Sequence, residues 1–220
     1  MQTPLSLMRP LLVVGVLSLA ACQPADKDSS PTGVAAKAMD EVANGLGEAS
    51  QEMEKARQDV AKARDRLARE NISINRDGKQ DLPKAEITPT GELLIEGKPV
   101  ATTPEQKALV LAYRGELLGV VGDGMAIGME GARVGIDAAA SALKGVLSGQ
   151  NGDDIGKQVG EQAKAKLKPM VAQLCTRMPG LLSAQQALAA ALPEFAPYAT
   201  MDQSDVDDCG DANGDGNWTF

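Results

Sequence analysis

The chain has 220 residues and a net charge of −8, 30 acidic side chains against 22 basic ones, a balance that argues against nucleic acid as a partner. It contains no histidine, which removes Ser-His-Asp and Cys-His catalysis and every His-ligated metal from the candidate chemistries. Only five aromatic residues occur, Tyr113, Phe195, Tyr198, Trp218 and Phe220, so a core must be built from Ala, Leu, Val and Met, which suits closely spaced helices better than a β-sandwich.

The first residues carry one positive charge, Arg9, followed by an apolar run over 11–20 and then Leu19-Ala20-Ala21-Cys22. The run has about the length of a secretory h-region and is too short to span a bilayer. This start resembles bacterial lipoprotein signal peptides, and the resemblance implies loss of residues 1–21 and acylation of Cys22. A lipid on Cys22 is then the membrane contact, since each buried acyl methylene stabilises association by about 0.8 kcal/mol. Gln23 stands where an Asp tends to retain such proteins at the inner membrane, so the expected location is the outer membrane, facing the periplasm. The mature chain would keep 21 basic and 30 acidic residues, 21 − 30 = −9. Residues 22–32 are polar and rich in Pro and Ser, as in a tether.

Residues 33–70 carry a 3-4 spaced stripe, Met39, Val42, Leu46, Ala49, Met53, Ala56, Val60, Ala63 and Leu67, a heptad pattern for an amphipathic helix. With Met39 at position a, Glu52 and Asp59 fall at g and Arg57 and Arg64 at the following e positions. Two arrangements fit: a homodimer through residues 39–67 with those charges paired across the seam, or a helix lying on its own domain. Gly45 and Gly47 weaken the first half, so the helix is expected to be firm from about Glu48.

Over 71–100, Ile72 and Ile74 alternate with polar residues, Arg76-Asp77-Gly78 signals a turn, and two short runs flank a second turn at Thr90-Gly91. This pattern predicts two or three short antiparallel strands that must pack on helices. Thr103-Pro104-Glu105-Gln106 is a helix start with Thr103 as N-cap and Gln106 three residues on, and the helical pattern runs to about Leu147, with a break plausible at Gly122-Asp123-Gly124. Small residues recur at 124, 128, 131, 135, 138, 142, 145 and 149, a seam that admits another backbone closely. Asp123, Glu130, Arg133, Asp137 and Lys144 inside this window oppose membrane insertion, so the seam is expected to pack on the heptad helix or on the next helix. That next helix is predicted from about Asp154 to Met178, bent or bounded at Pro169. Pro179-Gly180 then suggests a turn, Ser183 a cap for a short helix to Leu192, and residues 193–198 an aromatic strap that fills core.

With Cys22 acylated, Cys175 and Cys209 form an even pair that reads as a disulfide in an oxidising compartment. Asp211, Asn213 and Asp215 match the first half of a calcium loop. Calcium would need further ligands, with Asp205, Asp207 or Asp208 as candidates; the other reading of residues 201–220 is a solvated acidic tail. No cofactor is required by any motif.

The stretch from Gly91 through Gln106 to Tyr113-Arg114, Gln173-Leu174-Cys175, the strap and Cys209 are similar to the YggN/DUF2884 family of proteobacterial envelope proteins, over roughly residues 85–209. The resemblance implies an envelope location and one domain over 71–200, and supplies no catalytic residues. The expectation is therefore a mostly α-helical α+β protein with a Gly/Ala seam and a small antiparallel meander, not an enzyme. It would act as a structural or interaction module with an unknown envelope protein as partner; the alternative is a calcium-responsive or small-ligand- or lipid-binding protein.

Overall fold

The computed structural model describes residues 31–75 and 82–210. Its elements are α1 (Pro31–Arg69), β1 (Ile72–Ser73), β2 (Ala85–Ile87), β3 (Leu93–Ile95), β4 (Lys98–Pro99), α2 (Pro104–Leu147), α3 (Gly152–Ala191), a single 3-10 turn (Ala196–Tyr198) and α4 (Gln203–Asp207). The fold is thus mostly helical α+β, as the sequence implies. Packing divides the chain after Glu41: residues 31–41 are helix, and residues 42–210 are the described part of the larger unit, which holds the sheet and the core.

The sheet is a four-stranded antiparallel meander in sequence order, one strand more than expected. Ile72 faces Ile87, Ile87 faces Leu93, and Ile95 faces Lys98. The additional strand follows a two-residue turn in which Glu96 and Gly97 both have positive φ, 51° and 74°. That backbone matches the right-handed twist of a tight hairpin. At the Thr90-Gly91 turn, Gly91 also has positive φ, and a methyl there would sit 2.6 Å from Leu111 Cγ. Both the conformation and the close approach demand glycine.

The start of α2 matches the predicted cap. Gln106 N–H donates to Thr103 Oγ1 (3.2 Å) and Thr103 N–H to Gln106 Oε1 (2.9 Å). Gln106 Nε2 also donates to the Ala191 carbonyl at the end of α3 (2.7 Å), so one side chain both caps a helix and ties the base of the hairpin. From there α2 and α3 run antiparallel. Glu116 lies against Gly180, Asp123 pairs with Arg177, Asp137 with Lys166, and Gly145 meets Ile155. At about 1.5 Å per residue the hairpin is roughly 60 Å long.

Several expected breaks are absent. Both α1 across Gly45 and Gly47 and α2 across 122–124 are continuous. The helix predicted to stop at Met178 continues through Pro169, Pro179, Gly180 and Ser183 to Ala191. An interior proline costs about 3 kcal/mol, whereas burying one leucine stabilises by about 1.5–3 kcal/mol. Leu174, Leu181, Leu182 and Leu188 are all buried around Pro179, which is enough to outweigh the lost hydrogen bond. Gly180 serves close approach to α2 instead of a turn, since a methyl there would lie 3.3 Å from Glu116 Oε2.

The core sits at one end. Ile72, Ala85, Ile87 and Leu93 of the sheet, Val110 and Tyr113 of α2, Leu181, Leu188 and Leu192 at the end of α3, and Phe195 and Tyr198 of the strap form one cluster. Phe195 is fully buried with its ring edge-on to Tyr113, centroids 5.1 Å apart, so the strap fills core as expected. Tyr198 Oη donates to the Pro83 carbonyl (2.9 Å), and the Gln185 amide exchanges two hydrogen bonds with the Met201 backbone. Cys175 and Cys209 are disulfide-bonded, 34 residues apart. Part of the expected acidic tail is therefore ordered: α4 is closed by a capping box between Asp202 and Asp205, directly before Cys209.

Candidate functional site

Three helices enclose an open groove of ≈ 540 Å³. Its apolar lining is Val60 and Ala61 of α1, Met125, Ala126 and Met129 of α2, and Met170 of α3, and its polar rim is Arg57, Arg64, Glu130 and Arg133. Spacing explains the lining. Arg57, Val60, Ala61 and Arg64 recur at 0, 3, 4 and 7 along α1, and Met125, Met129 and Arg133 at 0, 4 and 8 along α2, so each set occupies one helix face. Methionine is flexible and polarisable, and it adapts to irregular apolar guests.

The rim is electrostatically graded. Arg133 donates Nε and Nη2 to the two carboxylate oxygens of Glu130 (2.9 and 2.7 Å), and this fork holds the Glu130 carboxyl below its usual pKa and raises that of Arg133. Arg57 reaches Glu54 at 3.6 Å. Arg64 donates Nη2 to the Gly122 carbonyl of α2 (2.8 Å) and has no carboxylate partner among the described residues. An exposed guanidinium hydrogen-bonded to α2 therefore stands at the apolar floor with no carboxylate on it among the described residues.

The half-buried residues of α1 from Leu46 onward are Leu46, Ala49, Met53, Val60, Ala63 and Leu67. Val42 and Ala56 of the stripe are exposed, and its C-terminal half meets the chain's own domain, Val60 at the groove and Leu67 against the core. Of the charges anticipated at a dimer seam, Arg57 lies near Glu54, Asp59 pairs with Lys62 (3.2 Å), and Arg64 donates to the Gly122 carbonyl. The end of α1 is held by Arg114, which is buried and donates to the carbonyls of Ile87 (2.7 Å), Leu67 (2.6 Å) and Glu70 (2.8 Å). Desolvation lowers the pKa of Arg114, but a guanidinium starts far enough above neutrality to remain charged. A cation on the last carbonyls of a helix is also favoured by its dipole.

The glycine seam is placed differently from the expectation. A methyl at Gly124, Gly128, Gly131 or Gly135 would meet nothing within 4 Å, and only Gly145 is pressed, 2.7 Å from Ile155 Cγ1. With 3.6 residues per turn, those four glycines share one face of α2, roughly 110° around the helix from Met125 and Met129. The hairpin is sealed instead through Val134, Gly145 and Ile155 and the two interhelical ion pairs. Of the seam glycines from 124 to 149, Gly145 alone meets α3.

Of the residues singled out by sequence, Cys175 and Cys209 are brought together. Cys22, the Arg76-Asp77-Gly78 turn and the calcium-type residues Asp211, Asn213 and Asp215 lie outside the described residues. Asp205 accepts from the Asp202 amide (2.8 Å) and Asp207 from Gln203 (2.9 Å), so both are engaged in holding α4. No group of three or more Cys, Asp or Glu side chains among the described residues is arranged to hold a metal, and no described helix is long and apolar enough to cross a membrane. The groove itself escapes sequence reading, because it depends on which helices become neighbours; the Met125–Met129–Arg133 spacing is its one visible trace. No family model, curated protein or solved structure matches the chain.

Proposed function

We propose that the chain is a lipid-anchored, periplasm-facing protein of the outer membrane with no catalytic role, acting as a structural or interaction module of the cell envelope. The observation that supports the interaction role is the groove, an exposed surface of methionine and arginine shared by three helices. The lipobox-like Leu19-Ala20-Ala21-Cys22 supports the anchor. In this reading the lipid and tether hold the module near the membrane and α1, α2 and α3 present the groove to a partner.

The test is twofold. Fractionation of the tagged chain should find it in outer-membrane vesicles, and Cys22→Ser should release it; recovery of both forms in the soluble fraction would sink the anchor. A photo-crosslinking residue at Met129 should capture an envelope component that one at Glu86 does not, and equal labelling at both would remove the groove from the reading. A second reading, a small-ligand- or lipid-binding protein, is favoured by the apolar floor of the same groove. Light scattering on the Cys22→Ser chain decides between a monomer and a homodimer through residues 39–67, and the packing of Leu67 against the chain's own core favours the monomer.

A further inference from the structure

We propose that the groove between α1 and the α2–α3 hairpin holds one free long-chain fatty acid, its carboxylate on Arg64 and its chain along Met125, Met129 and Met170. The inference rests on the ligand-binding reading of this groove and is independent of the membrane anchor. Size comes first. The open groove offers ≈ 540 Å³, against about 850 Å³ for two turns of a helix about 10 Å across, so a partner helix would seat only in part. A single acyl chain needs only a narrow channel, and pockets of this size are typical for small apolar ligands.

Charge then selects the head group. Although the whole chain carries −8, the groove rim has three arginines against one glutamate. Arg133 is spent on Glu130, and Arg57 stands two helical turns from Arg64 and reaches Glu54. The unneutralised charge is the one on Arg64, whose bond to the Gly122 carbonyl aims it across the groove while leaving other N–H donors for an anion. One guanidinium matches the single charge and two oxygens of a carboxylate, whereas a phosphate monoester brings about −1.5 to −2. The methionines supply a floor that conforms to a flexible chain. An acyl chain entering here covers apolar surface of all three helices and tightens a bundle whose α1 is otherwise attached mainly at its C-terminal end, through Arg114.

The experiment uses the full chain carrying Cys22→Ser and the fluorescent fatty acid cis-parinaric acid. The expected result is saturable binding of one probe per chain, displaced by palmitate and at least about tenfold less well by the neutral monopalmitin. Arg64→Gln retains a donor for the Gly122 carbonyl but removes the charge, and should weaken binding about 10- to 100-fold, the loss of one charge-assisted contact. Ala126→Trp should fill the groove and abolish binding, with circular-dichroism melts checking that both variants remain folded. The proposal is overturned if the wild-type chain takes up no probe, if neither variant changes binding, if monopalmitin competes as well as palmitate, or if lysophosphatidylglycerol displaces the probe and palmitate does not. Should any of these occur while Met129 still crosslinks an envelope component, the ligand is wrong and the interaction module stands; loss of both results removes the function of the groove altogether.

Discussion

Where α2 begins and α3 ends, Val110, Leu188, Leu192 and Phe195 have essentially no exposed surface. Toward the other end of the same two helices the buried residues are Val134, Gly145, Ile155 and Val171, and the tip leaves Val146 and Leu147 68% and 53% exposed. The base is closed by a sheet, an aromatic strap, a disulfide and two side-chain clamps from Gln106 and Gln185. The shaft is closed by ion pairs and small residues. The difference teaches that stability and recognition are separated along one hairpin: the base can hold the fold while the shaft keeps an accessible groove, because the groove contributes little to the buried core.

Substitutions can break this contrast, and the largest effect belongs to the base. Phe195→Ala should cost about 3–5 kcal/mol in urea denaturation, while Met129→Ala, half-buried in the shaft, should cost less than about 2 kcal/mol; equal losses would end the distinction. Replacing both Cys175 and Cys209 by serine should remove about 3–4 kcal/mol, the chain-entropy contribution of a closed loop of this length, and hydrogen exchange should rise first in α4. Glycines sharpen the comparison within the shaft. Gly131→Ala enters open space on a helix and should stabilise by up to about 1 kcal/mol, whereas Gly145→Ala collides with Ile155 and should lower the melting temperature. If both raise it, α2 and α3 do not meet at the tip as described.

The smallest effect is that of pH on the groove rim. Glu130 has its carboxyl pKa depressed from the ordinary 4.5, first by the Arg133 hydrogen bond. A depressed carboxylate stabilises the fold above its unfolded pKa, and this contribution is lost as pH falls through the lowered value. Thermal melts from about pH 6 to about pH 3 should therefore show Glu130→Gln converging with the wild type only at the acid end. Convergence already near neutrality would contradict the fork.

Local signals made much of this architecture legible. The Thr103–Gln106 capping box, the strap aromatics and the Cys175–Cys209 pair are each specified by residue types that have few alternative uses. The stripe on α1 is legible as a face, but its partner is not, because periodicity describes one helix at a time. Pro179-Gly180 misleads for the same reason: a helix break is a local preference, and buried leucines on either side override it. The fourth strand escapes notice because Glu96-Gly97 lacks the usual Asn-Gly or Asp-Gly signature of its turn. The methionine groove required three helices to be placed before its residues could be seen as neighbours.

The antiparallel register of α2 and α3 also bears on how the chain acquires its fold. Contacts at the tip, such as Gly145 with Ile155, join residues close in sequence, whereas those at the base link Gln106 to Ala191 and Tyr198 to Pro83, 85 and 115 residues apart. Closing short loops is fast and closing long ones slow. Assembly is therefore expected to zip from the weak end toward the strong one, so that the shaft aligns the distant segments before the base locks them in place.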